Sequence, residues 1–226
     1  MDLLKLNFYW RYVSRGGACT MHIADGVISI SVAVTTTAAA VGLLAYSLKG
    51  TKEAEIPRIS LLAGAFFVAS LINIPIGPTS VHPLLGGFLG LALGRRAPFA
   101  IFIGLVLQAV LFQHGGISTF GANLLLMSIP ALLIYWLFSY SSKLPAFLKG
   151  FLAGFVAICI GVFLLMVLLL FSDSRYGEGA FSVIRIMFFA YLPLALLEGV
   201  LTGFAIKHLA AMRSTLFMGK VEGERK

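Results

Sequence analysis

Charge is scarce in this sequence. Only 12% of its 226 residues are Asp, Glu, Lys or Arg, about half the share of a soluble globular domain. Cysteine is scarcer still: Cys19 and Cys159 are too few for a disulfide framework. No G-x-x-x-x-G-K-[ST] run is present, which excludes nucleotide hydrolysis by a P-loop. No H-E-x-x-H or G-x-S-x-G is present either, so nothing points to an enzyme. Internal repeats and low-complexity linkers are missing, and no polar stretch is long enough for a second domain. What is abundant is apolar: 59% of residues are hydrophobic and the mean hydropathy is +0.98. Several runs approach the roughly 20 residues that cross a bilayer as helix. The chain therefore reads as an all-α integral membrane protein.

Seven spans are expected, at about 29–48, 57–72, 82–94, 97–112, 120–140, 145–171 and 181–208. Their apolar residues run continuously instead of alternating, which argues against membrane strands. Cys159 falls mid-span and is expected to be a small buried thiol. Lys49, Lys52, Arg58, Arg95, Arg96, Lys143, Lys149, Lys207, Arg213, Lys220, Arg225 and Lys226 all fall on one side of this arrangement. The opposite side has Arg175, with Arg185 in or near the seventh span. The excess of positive charge puts that side, and the C-terminus, in the cytoplasm. The net charge of +8 then belongs to cytoplasmic loops and asks for no nucleic-acid partner. An odd number of spans leaves the residues before Ser29 outside.

Residues 1–20, "MDLLKLNFYWRYVSRGGACT", fit that placement poorly. They carry Lys5, Arg11 and Arg15 against Asp2 and lack the apolar core of a signal peptide. The expectation is that residues 1–20 are an extension and that 21–226 form a single membrane domain starting Met21-His22-Ile23. Loss of three bases and one acid would take the net charge from +8 to +6.

A free amine at Met21 would be a ligand. With the next peptide nitrogen and the His22 imidazole it could wrap one side of a metal ion in fused chelate rings. A planar nitrogen set suits Ni(II) or Cu(II), and a related one could hold Co(II). The best further ligand is His82, in the uncharged loop "NIPIGPTSVHPLLGG" on the same outer face. The third span, at thirteen residues, is only about 20 Å long against a hydrocarbon core of about 30 Å. His82 is therefore expected below the outer surface, with Pro83 in the first helical turn. One effect opposes this site: a helix N-terminus is electropositive and disfavours a cation.

Other polar residues have competing readings. His114, in "FQHGG", could be an entry ligand or a loop cap. His208 sits among cytoplasmic bases and is expected to be solvated. Asp25 suits a helix N-cap or an acceptor that orients His22. Glu198 is the one carboxylate inside a span, a functional candidate by default, or a residue near the cytoplasmic end. Ala38, Gly42 and Ala45 form a small-residue face that lets helices approach closely, within the chain or with another subunit.

"MHIADGVIS", "IPIGPTSVHPLLGG" and "FQHGGISTFGAN" together resemble the substrate-binding subunit of cobalt and nickel energy-coupling-factor transporters, the CbiM/NikM family. The resemblance runs over nearly the whole chain from Met21. It implies a seven-helix domain of the cell (inner) membrane whose N-terminal tail tucks in from outside. It implies a site for Co(II) or Ni(II), carried as substrate, made from Met21 amine and backbone nitrogen, His22 and His82, with no organic cofactor. It implies that ATP is hydrolysed elsewhere, by two ATPase subunits working with a transmembrane coupling protein and often a small extra membrane subunit. The Ala38–Gly42 face would meet the coupling protein. Rival readings are a vitamin-binding subunit of the same architecture, a membrane metalloenzyme and a structural assembly protein.

Overall fold

Apolar segments in lipid must satisfy their backbone polar groups internally, which selects helix. The computed structural model describes residues 23–72, 74–76, 79–112, 115–139, 144–173 and 183–211. Among the described residues lie seven α-helices: α1 (Ile30–Leu48), α2 (Ile56–Ser70), α3 (Gly86–Leu93), α4 (Ala97–Phe112), α5 (Phe120–Ser139), α6 (Ala146–Ser172) and α7 (Val183–Ala211). Five stretches are long and apolar enough to cross a bilayer: Ile30–Leu48, Gly86–Phe112, Phe120–Phe138, Ala146–Ser172 and Tyr191–Ala211. The chain is a multi-pass membrane protein. Its seven expected segments recur as helices, but they are not seven full-length crossings. Helix α2 has 15 residues, and α3 and α4 share one stretch. A 3-10 turn, Gly94–Arg96, divides that stretch at Gly94, whose φ of +55° suits glycine.

The third helix begins at Gly86 and not at His82. Pro83 thus lies ahead of the helix, and the expectation that it occupies the first turn was wrong. Leu85 stands at the N-cap with φ +50°, a left-handed conformation that ends the preceding turn. Before it, β1 (Ile74–Ile76) and β2 (Thr79–Val81) pair antiparallel, Ile74 opposite Val81 and Ile76 opposite Thr79. This hairpin was not anticipated, because three residues per strand are too few to show alternation.

Helices α6 and α7 run antiparallel through small residues. A Cβ on Gly150 would meet the Thr202 carbonyl at 2.6 Å, and one on Gly154 the Glu198 carbonyl at 2.5 Å. Helix α3 is wrapped by its neighbours. Leu89 is fully buried, Gly87 backs onto Ala153 and Gly154 of α6, and Gly90 onto the Ala131 carbonyl of α5. One turn further, Gly94 abuts the Tyr135 ring. Gly90 with Ala131 and Gly94 with Tyr135 give the same offset of 41 residues, so α3 and α5 run parallel in register.

The far end of α3 is stapled to α1. Arg96 donates to the carbonyls of Ser47 (2.6 Å), Lys49 (2.9 Å) and Gly50 (2.6 Å), acceptors that a helix end leaves unsatisfied. It also pairs with Glu55 at 3.1 Å. Burial alone would push the Glu55 carboxyl up, but the Lys52 N–H and the Arg96 guanidinium outweigh it and hold the group below its ordinary value. Arg96 is only 7% exposed, a buried link between the two segments as well as one of the basic residues between spans.

Two outward faces complete the picture. Ala33, Ala40 and Ser47 form the buried stripe of α1, while Ala38, Gly42 and Ala45 are exposed. A Cβ on Gly42 would touch nothing within 4 Å, so that face is not used for packing within the described residues. Cys159 is exposed as well, against expectation. Ala157, Ile158, Gly161 and Val162 turn the buried side of α6 inward and leave residue 159 on the other side.

Candidate metal centre

Three stretches of backbone build the site. The first is the segment after Met21 and His22, both of which lie outside the described residues, as does His114. Ile23 is 4% exposed, and its two backbone groups are held by side chains. Its N–H donates to Asn123 Oδ1 at 2.7 Å. Its carbonyl accepts from Thr119 Oγ1 at 2.6 Å, Asn123 Nδ2 at 3.0 Å and the Gly116 N–H at 3.3 Å. A segment that belongs to no helix or strand would otherwise bury these groups unpaired.

Asp25 fastens the same segment from its exposed side. It does not cap α1, whose N-cap is Ser29. Its carboxylate instead accepts from Ser118 Oγ (2.5 Å), Ser118 N–H (2.8 Å) and Ile117 N–H (3.1 Å), in the loop leading into α5. The Ser118 hydroxyl contributes most to holding the Asp25 carboxyl below its ordinary value; slight burial opposes it, and the backbone donors add to it. The expectation of a helix cap is thus corrected: Asp25 ties the N-terminal segment to the loop before α5.

The second stretch is the turn from His82 to Leu85. His82 is 5% exposed, with Nδ1 at 3.3 Å from the Pro83 carbonyl oxygen. The third is the middle of α7, where Glu198 is fully buried and Oε2 accepts from the Leu84 N–H at 3.1 Å. The sequence reading allowed Glu198 a place near the cytoplasmic end; it lies instead beside the His82 turn. His208, in the last turn of α7, is exposed as expected.

The parallel register relates the first two stretches. Carrying the 41-residue offset back from Gly90 and Ala131 sets Gly86 level with Met127. Asn123 lies one turn of α5 before Met127, on the side of the bundle where the His82 turn leads into α3. Gly87 packs on Gly154, eighteen residues from the Ser172 end of α6, or about 27 Å at 1.5 Å per residue. Helix α6 thus extends well beyond the start of α3 towards Ser172. Among the described residues no three His, Cys, Asp or Glu side chains converge as a metal cluster.

Residues 22–216 match the family model of the cobalt uptake substrate-specific transmembrane region. The chain belongs to this cobalt-uptake family. Similar members include a Haemophilus influenzae protein provisionally named a metal transport protein, 31% identical over 85% of this chain and 94% of its own length. The cobalt transport protein CbiM of Lachnoclostridium phytofermentans is 29% identical over 80% of this chain and 79% of its own. A crystal structure of a truncated transition metal transporter superposes with a TM-score of 0.75, at 25% identity over 84% of this chain and 99% of that one. The relatives of this cobalt-uptake chain are transport proteins, in keeping with its lack of enzyme motifs.

Sequence reasoning passed over Asn123 and Thr119. Their signal was present in "STFGAN", where polar residues open an otherwise apolar helix, but their partner is backbone 96 and 100 residues away.

Proposed function

We propose that the chain is the metal-binding subunit of an energy-coupling-factor ABC transporter. It captures Co(II) or Ni(II) from outside for ATP-driven uptake. The ligands are the Met21 amine and backbone nitrogen, the His22 imidazole and His82, with Met21 as the first residue of the working protein. The N-terminus is outside and the C-terminus is in the cytoplasm. ATP is hydrolysed by two partner subunits, coupled through a transmembrane protein that meets the exposed Ala38–Gly42 face, with room for a small extra membrane subunit.

One observation carries this reading. Ile23 is locked by Asn123, Thr119 and Gly116, at the opening of α5, and α5 packs against the helix that follows the buried His82 turn. A chain anchored so firmly one residue after a Met-His pair restricts where that pair can reach. The family membership supports the cargo, and the names of its relatives favour cobalt and nickel over a vitamin.

Nitrogen ligands must lose protons to bind, and imidazole and amine titrate near 6.5 and 8. Isothermal titration of Ni(II) and Co(II) into protein starting at Met21 should show affinity falling more than tenfold from pH 7.5 to about pH 5.5. His82→Ala should bind neither metal tightly. Equal affinities at the two pH values, or an unaffected His82→Ala variant, would contradict this ligand set.

A further inference from the structure

The N-terminus of α3 poses an electrostatic problem for any cation at His82. The first amides of a helix have no intrahelical acceptor and present a partial positive charge. Leu85, at the N-cap, offers no side-chain acceptor, and the first turn holds no acidic residue. Left so, this end of α3 would repel a divalent ion.

A carboxyl group reaches this end from another helix. Glu198 of α7 is 0% exposed and accepts the Leu84 N–H through Oε2. Its Oε1 is buried with no hydrogen-bond partner among the described residues. The approach depends on glycines: Gly87 of α3 and the Glu198 backbone both lie against Gly154 of α6. Among the described residues, Arg96–Glu55 is the ion pair present. It lies at the opposite end of α3, and among the described residues no Lys or Arg pairs with Glu198.

A buried carboxylate without a compensating charge is costly. So is a divalent ion whose ligands are neutral nitrogens. Two uncompensated charges of opposite sign, facing the same turn, relieve each other.

We propose that Glu198 is the counter-charge of the His82 turn: its carboxylate holds the turn through Leu84 and offsets the positive end of α3, so that a divalent cation can reside there. Glu198 is a positioning residue and not a ligand. This rests on the assignment of His82 as a metal ligand.

The test compares wild type, Glu198→Gln, Glu198→Asp and His82→Ala, all starting at Met21. Ni(II) titration is combined with thermal unfolding and with hydrogen exchange of residues 82–88 in metal-free protein. Gln keeps the acceptor and the shape but loses the charge. Glu198→Gln should unfold and exchange like wild type yet bind Ni(II) at least tenfold more weakly. Glu198→Asp keeps the charge at shorter reach, and should exchange faster at the turn while binding more tightly than Glu198→Gln. Wild-type affinity in a folded Glu198→Gln overturns the counter-charge. So does Glu198→Asp binding no better than Glu198→Gln. If His82→Ala alone loses metal and Glu198→Gln does not, the transport reading stands and the counter-charge falls. Wild type that takes up neither Ni(II) nor Co(II) sinks both.

Discussion

Asp25 shows how much one exposed side chain can organise. Three donors from Ile117 and Ser118 converge on its carboxylate, tying the N-terminal segment to the loop before α5. Because its pKa is lowered in the folded state, the unfolded chain binds its proton more readily, and stability rises with pH across its titration. The contribution is complete above the unfolded value of about 4 and is lost as pH falls through the lower, folded one. Asp25→Asn should therefore lower the unfolding temperature at neutral pH, with the gap closing as pH falls through the lowered, folded value. A gap that persists in strong acid would show that the charge is not what Asp25 supplies. The sequence marked Asp25 as a cap because an acid before a helix is a local pattern. It could not show that the donors belong to residues 117 and 118, since loop pairing across about ninety residues leaves no trace in spacing. His82 was legible for a similar local reason, as a polar residue at the start of a span too short to cross.

At the scale of elements, the helices were legible because apolar runs this long have no other solution in lipid. Their ends were less so. Helix α3 starts four residues later than hydropathy suggests, because Leu85 turns left-handed and Glu198 takes the Leu84 amide. Both causes lie outside the local pattern. Glycines make the same point. Gly90 and Gly42 look alike in sequence, but Gly90 faces the Ala131 carbonyl and Gly42 faces open space. Gly90→Ala forces backbone apart and should cost about 1–3 kcal/mol, as overpacking does. Gly42→Leu should leave unfolding temperature and metal affinity unchanged while reducing co-purification with the coupling protein. Thermal unfolding and pull-down from membranes check both. A Gly42→Leu protein that assembles normally would remove this face from the proposed interface, and a Gly90→Ala protein as stable as wild type would contradict the packing of α3.

The whole molecule reads as a rigid holder. Helix α3 is a buried rod between α5 and α6, with the His82 turn and Glu198 at one end and the Arg96 staple to α1 at the other. The helix that follows the proposed ligand His82 is thus bound to the helix whose small-residue face is proposed to meet the coupling protein. The membrane setting could be read from hydropathy, and the family from three short motifs. The anchoring of Ile23 by Asn123 could not, because the two partners lie 100 residues apart in the chain. The central claim is that Met21 supplies a free amine to a metal held with His22 and His82. Mass spectrometry of the transporter isolated from its own membranes, under conditions that retain bound metal, tests it most directly. The account predicts a chain starting at Met21 that carries one Co(II) or Ni(II). A chain that retains residues 1–20 and still carries the metal one to one would contradict it.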